Sequence, residues 1–485
     1  MSRINFKLVF NIIAILLMIE GIFMIFPIIF SLYYKENDFY PILISAFITL
    51  GFGAILFIFT HKNIDYSTTG IKESYIIVSF TWILIGIFGS LPFILSGTVT
   101  NFIDAFFECV SGFTTTGASI LTDIEVVPKG VLFWRSLTHW IGGMGIIVLI
   151  LAILPMFKKG STSLFSAEVS DVTKEKIHAR VINVANRLWI IYLVMSVIMV
   201  ILLLLGGMNI FESLCHMFGT LGTGGYSTKN SSIAAYSPYI QYVVIIFMFL
   251  SGINFSLYYF FIKKNFKRVF LNEELIFYSV ITIISSFAIF IILYTKQNYH
   301  LEEAFRHSLF QVVSILTTTG YITDNYLNWP VFAWLIIVAL FFVGGCAGST
   351  GGGIKVIRHL IFFKFLIAYL KKMRFVHTET PIKYNGQILD RQTVQNIIFF
   401  IFIYLLVSAI SIFAMVLSGI DIQTSFGAVM SSIGCIGPGI GTVGPVDNYA
   451  HLNDFCKILL PILMILGRLE IYTFLVLLVP NFWRT

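Results

Sequence analysis

The chain has 485 residues, of which 58% are hydrophobic and only 11% charged, with a mean hydropathy of +0.90 and a formal net charge of +7. A soluble domain carries about a quarter charged residues, so solvated side chains cannot cover a globule of this size and lipid must cover much of it. The apolar segments exclude a soluble protein. The positive charge finds its explanation in membrane topology, with no need for a nucleic-acid partner.

A helix needs about 20 predominantly apolar residues to cross the hydrocarbon core. The first stretch of that kind, 8–30, is too long for a signal-peptide core and lacks a small-residue cleavage site, so it reads as a retained crossing helix. With 41–60 it makes a leading pair within residues 1–70. From residue 71 onward one pattern recurs four times: an apolar segment, a shorter apolar stretch, a Thr/Gly-rich string and another apolar segment. The repeats fall at 71–160, 161–265, 266–375 and 376–485. Their crossing segments are 75–95 and 131–155, 188–205 and 241–262, 275–294 and 331–343, and 397–417 and 458–479. The intervening stretches, 102–113, 210–221, 302–316 and 422–434, are too short to span and suit re-entrant helices. The expected fold is therefore an all-α membrane protein: two leading transmembrane helices, then four helix–re-entrant loop–helix repeats around a central pore.

Lys and Arg set the orientation. With the N-terminus in the cytoplasm, the inner side holds Arg3, Lys7, Lys62, Lys72, Lys158, Lys159, Lys174, Lys176, Arg180, Lys263, Lys264, Lys267, Arg268 and the basic run 355–391. The other side holds few, such as Lys35, Lys129, Lys229 and Lys296, as the positive-inside rule requires. The run 355–391 is suited to anionic lipid or a partner. Five scattered cysteines form no C-x-x-C pair and are expected to be free thiols. The sequence has no zinc-protease, nucleophile-elbow or dinucleotide fingerprint, and GSTGGGIK lacks the Gly-Lys-Ser/Thr of a phosphate loop, so no enzyme is expected.

The four strings are TTTGAS from Thr114, GTGGYST from Gly222, TTTGYIT from Thr317 and CIGPGIG from Cys435. They align on Gly117, Gly225, Gly320 and Gly437. Six residues earlier stand Ser111, Gly219, Ser314 and Ser431, and shortly afterwards Pro128, Pro238, Pro330 and Pro445. One such string is most often a turn or a close helix contact; four in one register point to a shared site. A dehydrated cation needs oxygen ligands, and inward-turned backbone carbonyls replace its water. Turning successive carbonyls the same way often calls for φ above zero, which glycine adopts freely. Re-entrant helices add the negative ends of their dipoles. Asp104, Glu108, Asp123, Glu125, Glu212, Glu302, Glu303 and Asp421 lie near the expected outer mouth, where they either concentrate cations or form an ordinary solvated rim.

These strings, with GGCAGSTGGGIK and the closing GRLE, resemble the Trk/Ktr/HKT superfamily of potassium uptake proteins, most closely its TrkH branch. The resemblance covers nearly the whole chain. It implies a selectivity filter for transported K+ whose glycines are Gly117, Gly225, Gly320 and Gly437. It implies ion-coordinating carbonyls on Thr115, Thr116, Thr223, Gly224, Thr318, Thr319, Cys435 and Ile436. The fourth string departs from the family's more frequent Asn-containing version, which affects side-chain support there. The resemblance further implies a multi-pass protein of the bacterial inner membrane, a homodimer with one pore per protomer, and a cytoplasmic nucleotide-binding regulatory subunit.

Two features suit gates. Gly344, Gly345, Gly348, Gly351, Gly352 and Gly353 fall within ten residues of the third repeat's second crossing segment. Each Gly costs a helix about 1 kcal/mol against Ala, so the segment is expected to be broken or mobile; close helix packing is the alternative. Arg468 lies mid-way along the last apolar segment with Glu470 two residues on. Such a charge faces a bundle interior or a water-filled path, either in an interhelical salt bridge or as a positive constriction, the role that the resemblance implies. Arg135, His139 and Arg306, nearer segment ends, are expected to snorkel or pair. The expected function is channel-like potassium uptake; the alternative is a secondary transporter coupling potassium to protons or sodium, which usually places ionisable groups at the midplane.

Overall fold

A computed structural model of the chain describes residues 4–62, 64, 70–143, 145, 181–374 and 381–483. These are almost entirely helical; the strands among the described residues are the two-residue pair Lys383–Tyr384 and Gln387–Ile388, antiparallel. Six of the described helices are long and apolar enough to cross a membrane, or up to eight if each bent pair is one span. The chain is a multi-pass membrane protein.

The leading pair comprises a span from Phe6 to Tyr34, interrupted before Pro27, and the helix Phe39–Thr60. Proline lacks the N–H that would continue the helix ladder, which accounts for the break. The two pack closely through small residues: a Cβ on Gly21 would meet the Leu50 side chain, and one on Gly53 would meet Met18 and the Ala14 carbonyl. Their connection reaches the first repeat. Asp38 accepts from the Val131 N–H at 3.0 Å and Glu36 from the Lys129 N–H, so two carboxylates cap the N-terminus of helix Lys129–Gly143, where the dipole favours negative charge.

The outer helices differ in what covers them. Of the apolar windows, 67% of that in Lys72–Leu95 is buried, but only 28%, 22% and 28% of those in Asn186–Leu205, Glu273–Lys296 and Arg391–Leu417. The leading helices cover the first repeat; the outer helices of the other three turn residues such as Ile198, Ile283, Phe287 and Phe413 outward, as lipid contact requires.

The expected re-entrant stretches are the helices Phe102–Phe113, Ile210–Leu221, Leu301–Leu316 and Ile422–Gly434. Asn101, Asn209 and Asp421 cap three of them through their side chains. Each ends where its Thr/Gly string begins.

The inner helices depart from the expectation of single crossings. Pro238–Ser251 and Phe255–Ile262 meet at 94°, and Asp454–Arg468 meets Tyr472–Leu478 at 110°. In the third repeat Val331–Leu340 stops and Val356–Arg374 begins, with the glycine-rich stretch between them. The breaks follow local chemistry: Asn254 caps the resumed helix through its side chain, and Glu470 and Ile471 take φ of 57° and 53°, which no helix continues. The expected segment 131–155 is described only to Gly143, and at Gly145. Arg3, Lys158, Lys159, Lys174, Lys176, Arg180 and positions 375–380 of the basic run also lie outside the described residues.

Candidate functional site

The four strings share one backbone conformation. Thr115, Thr223, Thr318 and Cys435 have φ of 57°, 55°, 58° and 53°, and two residues on Gly117, Gly225, Gly320 and Gly437 have φ of 82°, 77°, 79° and 99°. Left-handed residues alternating with ordinary ones turn successive peptide groups to the same side. The N–H groups go backwards: those of Thr116, Gly224, Thr319 and Ile436 donate to the carbonyls of Ser111, Gly219, Ser314 and Ser431 at 2.9, 2.8, 2.8 and 2.9 Å. The residues six positions before each glycine therefore hold the string through their main chain, a role that Gly219 shares with the three serines. In the first and third repeats, hydroxyl pairs Thr114–Thr116 and Thr317–Thr319, both 2.8 Å, brace the string further.

The strings close into a ring. A Cβ on Gly117 would lie 2.0 Å from the Gly224 carbonyl oxygen, one on Gly225 2.1 Å from that of Thr319, one on Gly320 2.0 Å from that of Ile436, and one on Gly437 2.7 Å from that of Thr116. Repeat one thus touches two, two touches three, three touches four, and four returns to one. All four glycines floor a cavity of about 140 Å³ that opens between the loops following the strings. Asp123 lies by its rim, held below the usual carboxylate range mainly by the Asn230 amide, 2.8 Å away.

The structure corrects the reading of several charged residues. Glu108 is fully buried, not on the rim; it accepts from Arg135 Nε at 2.6 Å, the Ile120 N–H at 2.8 Å and Ser119 Oγ at 3.0 Å. Arg135 pairs, one of its two expected outcomes, through that contact with Glu108; its guanidinium also lies 3.4 Å over the Tyr226 ring and donates to the Ser227 carbonyl at 3.2 Å. His139 is buried too; Nδ1 donates to the Gly112 carbonyl at 2.7 Å and Nε2 accepts from the Tyr226 N–H at 3.2 Å. Arg306 pairs as expected, with Glu302 at 2.8 Å and with Gln241. Asp104 pairs with Lys457 at 2.8 Å. The Glu108–Arg135 pair is not legible in the sequence beyond a weak signal, a carboxylate inside one short apolar stretch and a lone arginine in another 27 positions on. Glu108→Leu strands the Arg135 charge and is expected to destabilise the fold by about 3–5 kcal/mol, read as a lower unfolding temperature in detergent.

On the side away from the cavity, the glycine-rich stretch folds into a loop directly beneath the ring. Its neck is closed by Gly344 N–H to the Ile354 carbonyl at 2.9 Å and Val356 N–H to the Gly345 carbonyl at 3.1 Å. A Cβ on Gly344 would lie 2.1 Å from the Gly352 oxygen, so only glycine allows the neck to close. At the tip, Gly352 N–H donates to Thr318 Oγ1 at 2.7 Å, and Gly351 packs on the Thr317 carbonyl. The flanks are held by Cys346 N–H to Gly252 O at 2.9 Å, Ala347 N–H to Glu274 at 2.6 Å and Phe255 N–H to Gly348 O at 3.0 Å. Of the two expectations, the segment is broken, and Gly351 and Gly352 at its tip are buried against the third string.

Arg468 reaches the same place. It donates to the Thr350 carbonyl at 2.8 Å, Thr115 Oγ1 at 3.3 Å, the Gly143 carbonyl at 3.1 Å and the Gly142 carbonyl. Among the described residues no carboxylate pairs with it; Glu470 pairs instead with Arg358. One guanidinium thus joins the loop tip, the first string and the end of the first inner helix. Arg358→Leu should release the Glu470 side of this floor and raise tryptic cleavage near 469–471, scored against wild type by mass spectrometry.

Comparison with known proteins gives concordant results. Residues 40–485 match the TrkH family, described as cation transport protein. The Trk system potassium uptake protein TrkH of Salmonella typhimurium is 34% identical over 492 residues, covering 99% of this chain and 100% of that protein. The Trk system potassium uptake protein TrkG of Escherichia coli K12 is 32% identical over 493 residues, covering all of both. The crystal structure of the potassium transporter TrkH from Vibrio parahaemolyticus superimposes with a TM-score of 0.89 at 32% identity, covering 99% of this chain and 100% of that one.

Proposed function

We propose, because the chain belongs to the TrkH family of cation transport proteins, that it takes up potassium across the cell membrane through the ring of four strings. The observation that carries this reading is the cyclic contact of Gly117, Gly225, Gly320 and Gly437 with the next repeat's main-chain oxygens. Such closure leaves one axial path lined by carbonyls, the ligand set that replaces a potassium ion's water. Thr115, Thr116, Thr223, Gly224, Thr318, Thr319, Cys435 and Ile436 supply those oxygens, the glycines permit the fold, and the cavity above is the extracellular vestibule. K+ is the cargo.

The loop Gly344–Gly353 and Arg468 form the gate on the cytoplasmic side. Four pore-helix C-termini favour a cation there, while the Arg468 charge opposes one, so the closed floor retards ions until it moves. The chain divides as a leading pair, 1–70, and repeats at 71–160, 161–265, 266–375 and 376–485. The N-terminus lies in the cytoplasm of a bacterial inner membrane. Two copies assemble with one pore each, and a nucleotide-binding subunit docks on the cytoplasmic face beside the basic run 355–391, where anionic lipid also gathers.

Conduction is channel-like, down the electrochemical gradient. In proteoliposomes, rubidium-tracer uptake driven by a potassium gradient should persist with proton and sodium gradients collapsed. Flux that stops on their collapse would establish coupled transport instead, and no rubidium flux under any gradient would sink the proposal.

A further inference from the structure

In every repeat a buried hydroxyl grips a carbonyl at the vestibule end of the string from behind. In the first, the single proton of Tyr226 Oη is shared between the Glu108 carbonyl at 2.8 Å and the Ala118 carbonyl at 3.3 Å. In the second, the single proton of Tyr321 Oη goes chiefly to the Tyr226 carbonyl at 3.0 Å and is shared with that of His216 at 3.3 Å. In the third, Ser314 Oγ donates to the Tyr321 carbonyl at 2.6 Å. In the fourth, Ser431 Oγ and Tyr449 Oη both donate to the Gly437 carbonyl, at 2.6 and 2.8 Å. The gripped carbonyl follows the filter glycine in the first three repeats and belongs to the glycine itself in the fourth.

The second repeat shows what the grip requires. Where the other three carry serine six residues before the glycine, it carries Gly219, which has no hydroxyl. That serine supplies the grip in the third and fourth, while in the first Tyr226 supplies it beside Ser111. A Cβ at Gly219 would lie 2.2 Å from Tyr321 Oη, so the tyrosine hydroxyl occupies the space that a serine would take and binds the equivalent carbonyl. The glycine and the neighbouring repeat's tyrosine replace one serine. The two tyrosines that cross a seam in this way also tie one repeat to the next.

We infer that these hydroxyls are positioning residues that end the run of inward-facing carbonyls, and that Tyr321 does so for the second repeat in place of a serine. A carbonyl held from behind cannot turn to the axis, so the clamp fixes the length of the dehydrating path. Released, the end carbonyls accept water or a partly hydrated sodium ion, and discrimination falls. This rests on the potassium-filter reading given above.

The test is the reversal potential of purified protein in planar bilayers with potassium on one side and sodium on the other. Tyr321→Phe keeps the ring but loses the hydroxyl. Its sodium-to-potassium permeability ratio should rise roughly two- to tenfold, the equivalent of one neutral hydrogen bond. Adding Gly219→Ser to Tyr321→Phe places a hydroxyl as in the third and fourth repeats and should return the ratio towards wild type, whereas a purely structural role for the tyrosine predicts no return. Tyr226→Phe supplies the same test in the first repeat should the Tyr321 variants fail to assemble, with assembly checked by gel filtration. Unchanged ratios in both single variants, or a raised ratio that the serine does not lower, overturn the clamp. A wild-type protein without potassium-selective current overturns the filter reading and the clamp with it.

Discussion

Replacing Gly320 by valine should reduce rubidium uptake by about a hundredfold or more while leaving the protein folded and inserted. The residue holds φ of +79°, and a Cβ there would lie 2.0 Å from the Ile436 oxygen and 2.8 Å from Pro438 Cδ. A β-branched residue carries strain of about 1–3 kcal/mol in that conformation, and overpacking adds a cost of similar size. Since each ~1.4 kcal/mol on a barrier is tenfold in rate, the sum reaches the expected loss. Only the string bears the distortion, because its contacts lie within the ring and not in the lipid-facing helices. The effect should be graded. A Cβ on Gly117 or Gly225 would lie 2.0 or 2.1 Å from an oxygen, and the two should behave alike, but one on Gly437 would come no closer than 2.7 Å, so alanine there should be the mildest of the four. Near-normal uptake by Gly320→Val would remove the string from the conduction path.

Arg468→Ala should act in the opposite direction and raise uptake roughly tenfold. The guanidinium makes four hydrogen bonds to oxygens of the loop, the first string and the first inner helix. Hydrogen bonds from a charged donor contribute about 1.5–3 kcal/mol each, so alanine unties the loop tip and also removes a positive charge from beside the path. Arg468→Lys keeps the charge and loses the fork that reaches several oxygens at once; its uptake should fall between alanine and wild type. Unchanged or lower uptake in a correctly assembled alanine variant would dismiss the gate.

The sequence made the repeats legible because each string needs the same rare backbone. A glycine at positive φ, and six residues before it the residue whose carbonyl holds the string, recur in one register, with a short helix before them and a proline some residues after. The four pore helices accordingly stand within one residue of their expected limits. What hydropathy could not convey was continuity. The stretches 241–262 and 458–479 are apolar enough overall to read as single crossings, yet each is two helices, since buried backbone ends here find partners that hydropathy does not reveal. Ser251 and Gly252 give carbonyls to the loop, and Arg468 leaves its helix end for the ring. Glu108 reads in the sequence as one of the carboxylates near the outer mouth; its partner Arg135 lies in another helix, and only the fold brings the two together. The reason for Gly219 in place of a serine sits in the next repeat, where Tyr321 Oη fills the space a Cβ would need.

Thallium scatters anomalously and mimics potassium, so crystals of the protein grown in a thallium salt test the central claim most directly. The account predicts anomalous density on the axis of the ring, within coordination distance of the carbonyls of Thr116, Gly224, Thr319 and Ile436. Density confined to the lipid-facing surface or the acidic loops, with none inside the ring in well-ordered crystals, would contradict it.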